Sequence, residues 1–517
     1  MKRNMLKTLA IALSIALTIQ SCKKDDKDVA VTGVQLDETI EARMGATTPI
    51  SATILPVDAS NKSVSWISRN ESIVTVANGV LTPVSQGTTT VVVKTSEGNF
   101  TDSCKVIVVA AVGATDTIQG NITVNRLIKA DVKNIVKGWV YVKDGVTLTI
   151  EAGAVLRGHI DSKASIIVER GGKIIAEGSA QKPIIFSSNK PIGSRQPGDI
   201  GGIILCGKAP INVAGGEAEI EGGVGSKYGG NNPADNSGVL KYVRIEYPGY
   251  AFAPDKEING LTMGGVGNGT TIDYVQVSYS YDDAYEWFGG NVNCKHLITL
   301  GAWDDDFDTD YGFSGTVQYG VSLRDANLAD KSKSNGFESD NDGTGSSNTP
   351  ITNPKFCNIS IYGPRYDAAS TINSNYQAAM HIRRKSNLEV YNSVFAGFPK
   401  GILFKDSQGN AGTGAQIKNC IIASMGDNYS GNTAGEEAFF TDASRSNRAL
   451  ANYSDLVLAT PFNATAPNFL PQANSPLLTG AATTLPAGLT VETFVGAFGA
   501  TDWTAGWANW NPQQSTY

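Results

Sequence analysis

Val275-Gln276-Val277, Leu297-Ile298-Thr299 and Tyr319-Gly320-Val321 are strand-forming triplets that recur at steps of 22 residues. The segments between them repeat at the same offset: Asp282-Asp283-Ala284-Tyr285-Glu286 returns as Asp304-Asp305-Asp306-Phe307-Asp308. Nearer the start, Leu148-Thr149-Ile150-Glu151-Ala152-Gly153 is echoed by Ile166-Ile167-Val168-Glu169-Arg170-Gly171, eighteen residues on. Short strands at about 20-residue spacing, bounded by Gly and Asn turns, are the signature of a parallel β-helix. One such rung cannot bury its apolar face alone, so successive rungs stack into a continuous core. No amphipathic helix alternates with the strands, which argues against a doubly wound sheet or a barrel of βα units.

Working outward, this rhythm holds from about Thr117 to Met425 (117–425), with glycine- and asparagine-rich insertions at Val213–Gly238 and Ala326–Thr352. After it, residues 426–517 lose the period and end in Trp503-Thr504-Ala505-Gly506-Trp507-Ala508-Asn509-Trp510. An open solenoid end exposes core and unpaired strand edges, so the tryptophan-rich tail is expected to form the cap. On the other side, residues 31–110 alternate in short strands, with Asn78-Gly79 between Ile73-Val74-Thr75-Val76 and Val80-Leu81. Asn-Gly between apolar runs is a strong hairpin signal, and Trp66, alternating with Val64, is expected at the centre of a two-sheet core. The stretch from Ser63 to Val93 resembles the bacterial Ig-like group 2 domain, which implies an N-terminal β-sandwich used as a spacer or adhesive module. The expected fold class is therefore all-β, a sandwich followed by a single-stranded parallel β-helix.

Residues 1–21 combine a basic start with an apolar run from Leu9 to Ile19, too short to span a bilayer. Ile19-Gln20-Ser21-Cys22 is similar to a bacterial lipobox, which implies a signal peptide ending at Ser21 and a lipid-modified Cys22. Residues 22–30, containing Lys23-Lys24-Asp25-Asp26-Lys27-Asp28, read as a charged tether. This arrangement resembles surface lipoproteins of the Bacteroidota type. That resemblance implies a chain lipid-anchored in the outer membrane and facing the cell exterior. Five further cysteines lie far apart with no CxxC pair, so neither a zinc site nor a thioredoxin-like motif is indicated. A net charge of −7 speaks against a nucleic-acid partner, and three histidines against a multi-histidine metal centre.

Stacked rungs place residues one period apart about 4.8 Å from each other. Asp282, Asp283 and Glu286 would then sit on Asp304, Asp305 and Asp308. Like charges at about 5 Å repel by about 3 kcal/mol at an effective dielectric of 20. The carboxylates are thus splayed into solvent, partly protonated, or gathered around a hard cation, for which oxygen-only clusters suit Ca²⁺. Glu338, Asp340 and Asp342 follow about one and a half periods later and are expected to add to the same face, and Tyr285 with Phe307 is expected to stack inside the coil. The rung rhythm resembles the pectate-lyase-like right-handed β-helix superfamily. Its calcium-dependent lyases imply carboxylates such as Asp283, Asp305 and Asp308 around the ion and a base from Arg383, Arg384 or Lys385. The Gly-His-Gly and Arg-x-Lys segments of its polygalacturonase-type hydrolases are absent. A lipid anchor, a spacer and a long flat face suit a non-catalytic glycan-binding accessory beside an outer-membrane nutrient transporter, with Ca²⁺ as its one expected cofactor. A calcium-dependent lyase acting on a uronate-containing polysaccharide and a structural part of a surface complex are the alternatives.

Overall fold

A computed structural model of the chain describes residues 28–85, 87–109, 115–253, 256–367, 369–405 and 414–517. Cys22 and most of the tether lie outside the described residues. The chain divides into two units, residues 1–112 and 113–517.

The first unit is a two-sheet sandwich. One sheet orders Thr39–Arg43, Thr101–Val109, Gly87–Thr95 and Val64–Ser68; the other orders Thr48–Pro49, Val80–Pro83 and Val74–Ala77. Asn78 and Gly79 both take positive φ, 49° and 75°, in the tight turn between Ala77 and Val80. The core centres on Val74, Leu81, Val91, Cys104 and Val106. Trp66, expected at the centre, is only half-buried. Its strand lies at the edge of the four-stranded sheet, and the two central strands supply the deepest side chains.

The second unit is the β-helix, and its strands form one 25-stranded sheet that coils from Thr115–Ile122 to Arg448–Leu450. Each turn contributes three parallel faces. The first face stacks 139–142, Ser165–Val168, Gly202–Cys206, Leu261–Val266, Tyr285–Gly290, Phe307–Asp310, Phe337–Ser339, Ala378–Arg383 and Lys400–Lys405. The second and third faces are often two halves of one long strand, as in Thr271–Ser278 and Asn293–Leu300. Tyr242, Tyr274, His296, Tyr319, Asn358, Asn392 and Asn419 stand at that bend with positive φ. Four of them stack as rings: Tyr242 on Tyr274, Tyr274 on His296, and His296 on Tyr319, at 4.3, 4.1 and 4.8 Å between centroids.

Two sequence expectations need correcting. Leu297 pairs with Gly320 rather than Tyr319. One extra residue places Tyr319 at the bend, and such a slip reverses which side chains face inward. At the other end, Leu148 pairs with Ile174, not Ile166. The eighteen-residue echo joins strands of different faces: Gly153 stands at the corner between the second and third faces and Gly171 at the corner between the first and second, each with φ of 86°.

The tail does two jobs. The open end is closed by the short helix Glu436–Thr441, whose Phe439 and Phe440 enter the solenoid core. The tryptophans, expected at this end, instead run back along the flank and seal the outside of the third face. Trp503, Trp507 and Trp510 join Ile298, Leu300, Val321, Leu323 and Tyr362. Rung side chains hold this strap by pairing with its backbone. The Gln276 amide accepts from Asn509 N–H at 2.8 Å and donates to its carbonyl at 2.7 Å; Gln318 does the same with Thr490 at 2.9 and 2.7 Å.

Candidate functional site

Alternation along a strand sends every second residue of the first face outward. The resulting column reads Tyr141, Ile167, Ile204, Thr262, Glu286, Asp308, Glu338, His381 and Leu403. Its early part is apolar and covered by the arm of residues 211–228, through Ile211, Ile220, Val224 and Tyr228. Beyond Thr262 it turns acidic. Tyr285, Phe307 and Phe337 point inward on the same strands and stack at 5.7 and 5.4 Å, which fixes the outward direction of their neighbours.

The register places Glu286 against Asp308, and Asp308 against Glu338 one rung later. The longer sequence step to Glu338 is taken up in the loop between these strands. Phe337-Glu338-Ser339-Asp340 repeats the alternation of Phe307-Asp308-Thr309-Asp310, a signal available in the sequence but masked by the uneven spacing. At the preceding corner, Asp305 N–H donates to Asp283 Oδ1 at 2.8 Å and Asn335 N–H donates to Asp305 Oδ1 at 2.5 Å. Asp283 and Asp305 are therefore also links in a side-chain ladder along the solenoid. Three groups have carboxylate oxygens within 4.8 Å of one another: Asp282, Asp283 and Asp304; Asp283, Glu286 and Asp308; Asp305, Asp308 and Glu338.

Burial and mutual repulsion dominate the electrostatics. Asp282, Asp283, Glu286, Asp304, Asp305 and Asp308 are all held well above the usual carboxylate range, first by burial and then by neighbouring carboxylates. Glu338 is raised to about 7 by burial, against the opposing pull of Arg383. Asp304 Oδ1 and Asp308 Oδ1 are buried without a hydrogen-bond partner in the protein, as is Oδ1 of Asn259, whose amide donates to Glu286. Asp306 is set apart: Arg324 Nη1 donates to it at 3.0 Å and Thr299 at 2.5 Å.

The basic residues close the column rather than standing free beside it. Arg383 pairs with Glu338 and, through Nε, with Asp340 at 2.8 Å; Arg384 pairs with Asp340 at 2.9 Å. Burial opposes the charged form of Arg383, yet Glu338 and Asp340 outweigh it and hold the guanidinium above its ordinary pKa. His381 Nδ1 lies 3.0 Å from Glu338. The expected addition of Glu338 to the acidic face is seen in its register with Asp308, whereas the pairing of Arg383 and Arg384 with the acids was not read from the sequence, because the intervening loops hide which rungs are adjacent.

Residues 120–467 match the family described as pectate-lyase like beta helix domain. The chain belongs to that family. Residues 30–106 match the bacterial Ig-like domain (group 2). Among curated proteins, the chain is similar to an uncharacterized protein of Bacillus cereus, 33% identical over 81 residues, covering 15% of this chain and 61% of that protein. It is also similar to an Ig-like virion protein of Serratia phage KSP90, 37% identical over 83 residues, covering 16% of this chain and 32% of the phage protein. The chain thus spans less than two thirds of either relative. The crystal structure of pectate lyase Pel9A aligns over 69% of this chain and 88% of its own, at 13% identity and a TM-score of 0.39. Among the described residues, no helix is long and apolar enough to cross a membrane.

Proposed function

We propose that this chain is a cell-surface lipoprotein, anchored in the outer membrane through Cys22, that captures a polysaccharide on its β-helix without cleaving it. On this reading it serves as an accessory to an outer-membrane nutrient transporter. The Ig-like unit is its spacer, and the first face of the β-helix is its binding face. The observation that carries the reading is the acid column together with its locked arginines. A lyase needs a base free to take a proton from the sugar ring, whereas Arg383 and Arg384 are held by Glu338 and Asp340, and Lys385 donates to Ser347 at 3.1 Å.

The column also supports a cation. Its carboxylate groups offer only oxygens, the buried Oδ1 atoms of Asp304 and Asp308 and of neighbouring Asn259 lack partners, and Asp304, Asp305, Asp308, Asp282, Asp283 and Glu286 crowd into shared groups. Hard cations of the Ca²⁺ type take six to eight such ligands. When bound, Ca²⁺ would supply positive charge that relieves the repulsion and offers open positions to sugar oxygens. The test is a panel of polysaccharides in affinity gels with and without calcium, run beside an assay for unsaturated product from polyuronates. Retardation without product is expected. Calcium-dependent product formation would replace this reading with the lyase, and no retardation by any polymer would remove it.

A further inference from the structure

The outer surface of the first face changes character between two rungs. Up to Thr262 it lies under the arm of residues 211–228; from Glu286 onward it is acidic. At that boundary is a cleft of about 520 Å³ that exposes part of Tyr311 over the buried side chains of Tyr228, Phe288 and Ile220, with Glu219 and Glu221 as its charged residues. Among the described residues that line it there is no lysine or arginine, and Lys227 stands across the strand pair from Glu219. The arm is fixed to the rungs, so the cleft is preformed. Tyr141 donates to the Val224 carbonyl at 2.8 Å, Arg170 pairs with Glu217 at 2.5 Å, and Asn212 N–H donates to the Tyr311 carbonyl at 3.0 Å. Gly264 lets the arm come this close: a Cβ there would sit 2.6 Å from Tyr228 Cγ and 2.7 Å from Ile220 Cδ1.

Cavities of this size suit small ligands or single units of a polymer. Aromatic faces and carboxylates both attract a cation, the first through the ring quadrupole and the second through charge. The acidic rungs next to the cleft extend the same negative field, which repels an anion. A pyranose ring can cover the exposed part of Tyr311 with its C–H groups while an attached ammonium meets the glutamates. We infer that this cleft binds an amino-sugar unit carrying a free ammonium group, and that it rejects a uronate. The inference rests on the polysaccharide-capture reading and names the chemical class of the captured unit.

The experiment is calorimetric titration of the full chain, in chelator, with a fully deacetylated chito-oligosaccharide. The comparators are its N-acetylated counterpart, an oligogalacturonate and oligolysine. The deacetylated oligomer is expected to bind, with affinity falling about ten-fold or more in the double variant Glu219→Gln, Glu221→Gln and weakening as salt rises. Equal binding of the acetylated oligomer, preference for oligogalacturonate, no binding of the deacetylated oligomer, or an unchanged affinity in the double variant overturns the inference. Equally tight oligolysine binding with the same loss in the double variant also overturns it, and assigns the cleft to a basic polypeptide. Retardation of other polymers in the gel panel, with no chito-oligosaccharide bound here, sinks this inference alone. Absence of retardation throughout sinks the capture reading itself.

Discussion

Stripping calcium and raising the pH should destabilise the β-helix, because both steps leave the acid column charged and uncompensated. Glu338 alone sets the scale. Burial pushes its pKa up to about 7 in the folded chain, against an ordinary value of 4.5. One pKa unit corresponds to about 1.4 kcal/mol, so complete ionisation of this group removes on the order of 3 kcal/mol. The sign follows from proton counting. The folded chain holds the proton longer than the unfolded chain does, so the contribution is complete below about pH 4.5 and is lost as pH rises through about 7. The six other column carboxylates are shifted in the same direction, which steepens the loss and carries it to higher pH. Bound calcium reverses the trend, and a cation at one hundred times its dissociation constant restores about 2.7 kcal/mol. Scanning calorimetry in chelator should show the β-helix transition moving to lower temperature between about pH 5 and about pH 8, and calcium at the higher pH moving it back. The Ig-like unit has no such carboxylate group among the described residues and serves as an internal reference. A metal-free β-helix transition at one temperature across that pH range would refute the electrostatic account of the column. A pH-dependent transition that ignores calcium would refute the cation site.

Asp308 belongs to two of the three carboxylate groups. Asp308→Asn should therefore raise metal-free stability at about pH 8 while weakening calcium binding about ten-fold or more by calorimetry. The Arg324–Asp306 pair has both side chains fully buried, so Arg324→Met should cost about 3–5 kcal/mol in denaturant unfolding by stranding the carboxylate. Gln318→Ala removes both bonds to Thr490 and should cost about 1–3 kcal/mol, with faster proteolysis of the C-terminal strap as the direct readout. Phe440 is 1% exposed at the solenoid's end, and Phe440→Ala should cost about 3–5 kcal/mol and promote association through the opened core, measured by light scattering.

The stacking of Glu286 with Asp308, and of Tyr285 with Phe307, was legible because that rung carries no insertion and its period is uniform. The sandwich was legible for a similar reason, since alternation and an Asn-Gly turn are local signals. Register failed where the rung length changed by one residue, as at Tyr319, or where a repeated corner imitated a repeated rung, as at Glu151 and Glu169. The cap failed too: three tryptophans announce apolar burial but not which surface they bury against.

Sequence alone determined that strands coil rather than alternate with helices, and that an acidic motif recurs once per turn, because strand periodicity and turn composition are properties of neighbours along the chain. Only the tertiary structure decided that Arg383 closes on Glu338, that Asp306 is withdrawn from the column by Arg324, and that the 211–228 arm leaves a cleft at its edge. Those pairings span loops of unequal length. Which side chains meet across them is fixed by the stacking of rungs, and that stacking is chosen by burial of the whole core rather than by any single segment.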